Sequence, residues 1–208
     1  MIYDFTTELQ QIEQVLHQNI PDMPSNNWNH TNFGLLPECV TEAHSASLVE
    51  PGRNLLNLGG KRWRPLLLVL CAQAAAKSDV APQEAYNIVP LVEFVHTASL
   101  IHDDIEDSAD TRRGAPAAHI TYGLDTALNA GSWMYFAAPV CISNSGLSSE
   151  RQLLLYKLYA QELRRLHLGQ AMDIAWHKDN TSIPSVAEYT AMVRLKTGTL
   201  ASLAAQAG

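Results

Sequence analysis

Apolar residues recur at three- and four-residue steps along most of the chain, and no stretch alternates long enough to read as a strand. This pattern confines the fold to packed helices, each burying one stripe against its neighbours. Ile2, Phe5, Leu9, Ile12 and Leu16 define the first such face, and its helix is expected to stop near Pro21. The following run, PDMPSNNWNHTNFGLLP, from Pro21 to Pro37, reads as a surface loop with Trp28 as its anchor. A short helix is expected from Pro37 to about Glu50, ending before Pro51-Gly52, and another after Pro65. Pro82 to about Ala109 is again helical, but Pro90 cannot donate to the carbonyl of Tyr86, so a kink or restart is expected there. Further helices fit Asp125 to Asn144 and Glu150 to His177. The last opens at Ser185-Val186-Ala187-Glu188, a capping box. Only 17% of residues are charged against 47% hydrophobic, so these faces are expected to be buried in one all-α domain spanning residues 1–208. Residues 1–58 form its variable N-terminal helices and loop, and 59–208 the bundle that carries the motifs below.

Fourteen Lys and Arg against 21 Asp and Glu give a net charge of −7, which argues against duplex nucleic acid as a partner. No apolar run reaches the roughly 18 residues of a membrane span. The first ten residues carry acids rather than a basic leader pattern. Cys39, Cys71 and Cys141 form no CxxC pair and read as buried thiols in a reducing compartment. A cytoplasmic location is the resulting expectation.

Three islands carry chemistry. Gly59-Gly60-Lys61-Arg62-Trp63-Arg64-Pro65 puts cations and free amides at a helix start, an anion site in the making, although a solvated basic turn has the same composition. In Glu93-Phe94-Val95-His96-Thr97-Ala98-Ser99-Leu100-Ile101-His102-Asp103-Asp104-Ile105-Glu106-Asp107, Asp103 and Asp107 share a helix face with Asp104 beside them. No cation inside the island neutralises these carboxylates, and Mg²⁺ bridging to a diphosphate would. The third island, Asp110-Thr111-Arg112-Arg113-Gly114-Ala115-Pro116, sets two guanidiniums at a turn, placed to fork onto phosphate oxygens or to pair with the nearby acids.

Together, GGKRWRP, HTASLIHDDIED and TRRGAP resemble, in the same order, the GGKRxRP segment, the first DDxxD motif and the following RRG of the trans-isoprenyl diphosphate synthases, the polyprenyl synthetase family. His167-Leu168-Gly169-Gln170-Ala171-Met172-Asp173 resembles that family's GQxxD, and Lys196-Thr197 its KT pair. The resemblance covers about Gly59 to Gly208. It implies an isoprenoid-synthase helical bundle and a Mg²⁺-dependent prenyltransferase that joins isopentenyl diphosphate to an allylic diphosphate and releases pyrophosphate.

Carried over by position, it implies that Asp103, Asp104 and Asp107 hold Mg²⁺ on the allylic diphosphate, with Arg112 on the same group. Lys61, Arg64, His96 and Arg113 would hold the diphosphate of isopentenyl diphosphate. Gln170 and Asp173 would extend the metal and phosphate network, and Lys196 and Thr197 would sit by the ionising carbon. Ser99 and Ala98, small residues before the first aspartate, would leave room for a tail of twenty carbons or more, unless Met134, Tyr135 or Phe136 closes the pocket from the next helix.

Two departures stand out: the sequence contains no second DDxxD, and Gly131-Ser132 stands where the family often has Gly-Asp. The chain therefore resembles the front two thirds of a synthase, C-terminally truncated or completed by another chain. Association as a dimer or another homo- or hetero-oligomer is expected, with Leu195, Leu200 and Leu203 as exposed apolar surface. The alternative reading is a non-catalytic or half-site subunit of a heteromeric synthase.

Overall fold

Pro90 opens the helix around which the others are arranged. In a computed structural model describing residues 4–77, 80–178 and 183–208, α1 (Thr6–Asn19) buries Ile12, Val15 and Leu16. Ile2, assigned above to the same face, lies outside the described residues. The expected loop contains a helix, α2 (Asn26–Phe33), capped by the Ser25 side chain. Its apolar pattern is weak because three aromatic rings fasten it: Trp28 packs on Phe33 and on Trp133, with centroids 5.9 and 6.0 Å apart.

The next helix, α3 (Glu42–Asn57), begins later than expected and runs straight through Pro51. The missing N–H of Pro51 costs one bond, but Val49, Leu55 and Leu56 continue the buried face, and Gly52 lies directly against Met134. α4 (Trp63–Ala76) carries Pro65 in its first turn, where no donor is needed. After α5 (Gln83–Asn87), α6 (Pro90–Glu106) restarts with proline in its first turn, as expected.

A two-strand turn, β1 (Thr111–Arg112) with β2 (Ala115–Pro116), was not foreseen. Arg113 and Gly114 make its tight connection with φ of 53° and 80°, the left-handed pair of a two-residue hairpin. α7 (Ala118–Tyr122) and α8 (Leu124–Ala137) follow; Pro139 splits the expected long helix and leaves α9 (Val140–Ser143). α10 (Ser149–Lys178) is the long helix predicted, and α11 (Val186–Val193) starts on the predicted Ser185–Glu188 capping box. It continues as a π-helical turn, Arg194–Gly198, into α12 (Thr199–Ala207).

α6 packs against α1, α3, α4, α7, α8, α9 and α12, and its first half is almost wholly buried. α12 lies between α4 and α10, so Leu200 and Leu203 are core residues rather than the exposed apolar surface expected of them. Of the three cysteines expected to be buried, Cys141 is, Cys71 is half-buried and Cys39 is exposed, on the segment leading into α3. Among the described residues no helix is long and apolar enough to cross a membrane.

Candidate active site

Helical spacing places His96, Ser99, Asp103 and Asp107 along one side of α6, with His96 and Asp103 two turns, or about 10 Å, apart. Around Asp103 the chain assembles groups from three other segments, the Arg112 turn, α10 and the π-helical turn. Its carboxylate accepts from Lys196 Nζ at 3.0 Å, from Gln170 Nε2 at 3.2 Å and from Arg112 Nη2 at 3.5 Å. Lys196 also donates to Asp173 at 2.5 Å, and Gln170 to Glu106 at 2.6 Å. Burial works against the charge of Lys196, but the Asp173 and Asp103 carboxylates outweigh it and raise its pKa.

The π-helical turn carries Lys196 to this point, and Gly169 permits the close approach. A Cβ at Gly169 would lie 2.3 Å from the Lys196 backbone nitrogen. Thr197, on the same turn, is exposed.

The three aspartates divide. Asp103 and the exposed Asp107 stand one turn apart, whereas Asp104 points inward, 1% exposed, and takes the Arg112 guanidinium through Nε at 2.8 Å and through Nη2. No cation within the island neutralises these carboxylates, as expected, but two from outside it do: Arg112, eight residues on, takes Asp104, the pairing its turn also allowed, and Lys196, 93 residues on, takes Asp103. Among the described residues no three acidic, His or Cys side chains converge as a ready metal site. Asp103 and Asp107 remain as two hard oxygen donors on one face, the number Mg²⁺ takes when phosphate oxygens complete its shell.

At the other end of the face His96 accepts from Arg64 Nη1 at 3.3 Å. Burial, and then the positive charges of Arg64, Arg113, Arg62 and Arg112, push His96 down to about 3, so the ring is neutral. Arg64 lies over the Trp63 ring at 4.4 Å, and burial lowers its pKa. Lys61 is exposed beside them. Arg113 turns away from Arg112 and donates to the carbonyls of Leu55 and Gly59, so the adjacent arginines serve the two ends of the face separately. A neutral ring beside guanidiniums offers hydrogen-bonding groups and positive charge to which an anion could bind.

Ser99 is half-buried on the Asp103 side, its hydroxyl donating to the His96 carbonyl at 2.8 Å. Ala98 is wholly buried one step round α6, on the side of His102, which packs on Gly131 of α8. Met134 is core, Tyr135 stacks on His102 at 5.5 Å, and Phe136 is exposed to solvent. Ser132 hydrogen-bonds His102 at 3.3 Å, the local consequence of the Gly-Ser departure.

Sequence reasoning passed over Arg62, Glu93, Glu13 and Glu106. Arg62 is buried and holds Glu13 and Glu93. Its only sequence signal is its place in a cationic run, which points outward rather than inward.

The family model described as polyprenyl synthetase matches residues 45–208. The chain belongs to the polyprenyl synthetase family. It is 39% identical over 158 residues to a geranylfarnesyl diphosphate synthase of Aeropyrum pernix, covering 74% of this chain and 49% of that protein. It is 33% identical over 170 residues to a geranylgeranyl pyrophosphate synthase of Eremothecium gossypii, covering 81% of this chain and 52% of that one. The crystal structure of a geranylgeranyl pyrophosphate synthetase from Pyrococcus horikoshii superposes with a TM-score of 0.79 at 26% identity, covering 98% of this chain and 54% of that one. The chain thus spans about half the length of the curated relatives it matches, and its all-α fold is that of the isoprenoid synthases.

Proposed function

We propose that this chain takes part in prenyl transfer, joining isopentenyl diphosphate to an allylic diphosphate in the presence of Mg²⁺ and releasing pyrophosphate. The observation that carries the reading is the single face of α6, which bears an acidic cluster at Asp103 and a cationic, metal-free anion site at His96 two turns away. Two diphosphates of different character fit the two ends. Lys61, Arg64, His96 and Arg113 hold the isopentenyl diphosphate by charge-assisted hydrogen bonds. At the other end Asp103 and Asp107 hold Mg²⁺, which supplies Lewis-acid neutralisation of the departing pyrophosphate. Arg112 points at the same group, its fork fixed by Asp104. Lys196, held by Asp103 and Asp173, sets a further positive charge where the leaving group develops its own.

The relatives named for geranylgeranyl and geranylfarnesyl products support a product of twenty carbons or more, as does the small Ser99 one turn before Asp103. The second aspartate-rich wall that the resemblance implies lies outside residues 1–208; a cytoplasmic location and association as a homo- or hetero-oligomer belong to the same proposal.

Incubation of this chain, alone and with a polypeptide bearing a second DDxxD, with labelled isopentenyl diphosphate, geranyl diphosphate and Mg²⁺ tests the reading. Label entering products of twenty carbons or more supports it. A stop at fifteen carbons contradicts the length, and no incorporation in any pairing contradicts the transfer.

A further inference from the structure

We propose that Glu13, on α1 and outside the stretch matched by the family, is a positioning residue for the His96 anion site, acting through the buried Arg62. The inference rests on the reading of Lys61, Arg64, His96 and Arg113 as a diphosphate site and names the part that sets its geometry.

Arg62 is 4% exposed although it sits between Lys61 and Trp63, which are both in water. Its guanidinium is turned inward. Nε donates to Glu13 Oε1 at 2.7 Å, Nη1 to Glu93 Oε1 at 2.8 Å, and Nη2 to the Leu56 carbonyl at 2.7 Å, with Glu13 Oε2 at 3.4 Å. One planar fork therefore ties together α1, α6, the end of α3 and the start of α4, a task that the point charge of a lysine does not perform. The backbone of Arg62 is left-handed, with φ 46° and ψ 28°. A residue with a side chain keeps that conformation only where its surroundings over-determine it, and the two carboxylates do so.

The consequence falls on the neighbours. Lys61 precedes Arg62, Arg64 follows two residues later, and Glu93 stands one turn before His96 on α6. The clamp thus sets the spacing between the cations of the loop and the ring that Arg64 contacts at 3.3 Å. Gly60 is packed into the same knot: a Cβ there would meet Arg113 Nη2 at 3.2 Å and Arg62 Nη1 at 3.3 Å.

Of the two carboxylates, Glu93 is deeply buried, and burial raises its pKa against the pull of Arg62. The Glu13 side chain is 36% exposed and also faces His17 at 3.9 Å. α1 is docked independently by Ile12, Val15 and Leu16. Loss of Glu13 therefore frees one edge of the guanidinium without opening a core cavity or releasing the helix, and what changes is the aim of the loop.

The test compares the 208-residue wild type with Glu13→Ala and Glu13→Gln. Calorimetry with inorganic pyrophosphate reads the site, the ¹⁵N resonances of the His96 ring report the Arg64 contact without ligand, and thermal unfolding checks the fold. The expected result is a roughly 3- to 30-fold loss of pyrophosphate affinity in Glu13→Ala, with shifted His96 resonances, a melting temperature lowered by only a few degrees and Glu13→Gln in between. A folded Glu13→Ala with wild-type affinity and unmoved His96 resonances overturns the proposal. Should that variant not fold, wild-type values for both readouts in Glu13→Gln overturn it equally. A wild type that does not bind pyrophosphate refutes the anion-site reading itself, and the proposal with it. That result differs from equal binding by wild type and variant, which refutes the role of Glu13 alone.

Discussion

Gly169→Ala adds one methyl group where α10 crosses the π-helical turn. The new Cβ would lie 2.3 Å from the Lys196 nitrogen and 2.7 Å from the Leu195 carbonyl carbon, whereas ordinary contact begins at 3.4 Å, a shortfall of 3.4 − 2.3 = 1.1 Å. Both obstacles are backbone, so the helices themselves must part. In an open helix the change would stabilise by about 1 kcal/mol. Overpacking against backbone costs up to about 3 kcal/mol, leaving a net loss of about 2 kcal/mol, or a melting temperature lower by about 4–8 °C for a chain of this size. Function suffers more. Lys196 lies 3.0 Å from Asp103 and 2.5 Å from Asp173, so a recoil of about 1 Å takes the ammonium out of both pairs, and misplacement on that scale costs on the order of 100-fold in rate. Differential scanning calorimetry and prenyl-transfer assays of the assembled enzyme measure the two effects. A Gly169→Ala protein as stable and as active as wild type would show that α10 and the π-helical turn do not meet as described.

Further outcomes follow from the same geometry. The His96 pKa is lowered from 6.5 to about 3 by burial and the surrounding arginines, so the unfolded chain binds a proton below pH 6.5 that the folded chain refuses. Stability contributed by the neutral ring is full above pH 6.5 and is lost as the pH falls; denaturant titration should show His96 responsible for about 2 kcal/mol of the decline between pH 6.5 and 5, a slope that His96→Gln removes. Asp104→Asn, by weakening the hold on Arg112, is expected to lower stability by about 1–2 kcal/mol; Asp103→Asn stays within about 1 kcal/mol of wild type but loses Mg²⁺-dependent diphosphate binding, and urea melts with calorimetry distinguish the two. Ser99→Phe shortens the product, read by chromatography after dephosphorylation; an unchanged product length places the tail elsewhere.

The legible parts of the fold are those decided within a few residues. Pro90 as a helix start and the Ser185–Glu188 capping box depend on backbone donors that the local sequence supplies or withholds. α2 and the passage of α3 through Pro51 depend on partners elsewhere: Trp28 needs Trp133, and Gly52 needs Met134. No local rule foresees either contact. The same division runs through the site. Motif spacing brings out Asp103 and Arg112, and resemblance brings out His96, but the split between Asp103 and Asp104 emerges only with the Arg112 turn in place. Lys196 meets Asp103 across 93 residues, and its role was readable only through resemblance. Arg62 misled because a cation among cations suggests an anion site, whereas its partners, Glu93 and Glu13, stand 31 and 49 residues away.

The central claim is that one face of α6 holds two diphosphates by different means, one through metal at Asp103 and Asp107, the other through cations around His96. Calorimetry with a non-hydrolysable geranyl diphosphate analogue and with inorganic pyrophosphate, each with Mg²⁺ and with chelator, tests it most directly. The account predicts that the analogue binds tightly only with Mg²⁺, and that pyrophosphate keeps a metal-independent site that Arg64→Ala abolishes and Asp103→Asn leaves intact. Equal affinity of the analogue with and without Mg²⁺, or no metal-independent pyrophosphate site, would contradict it.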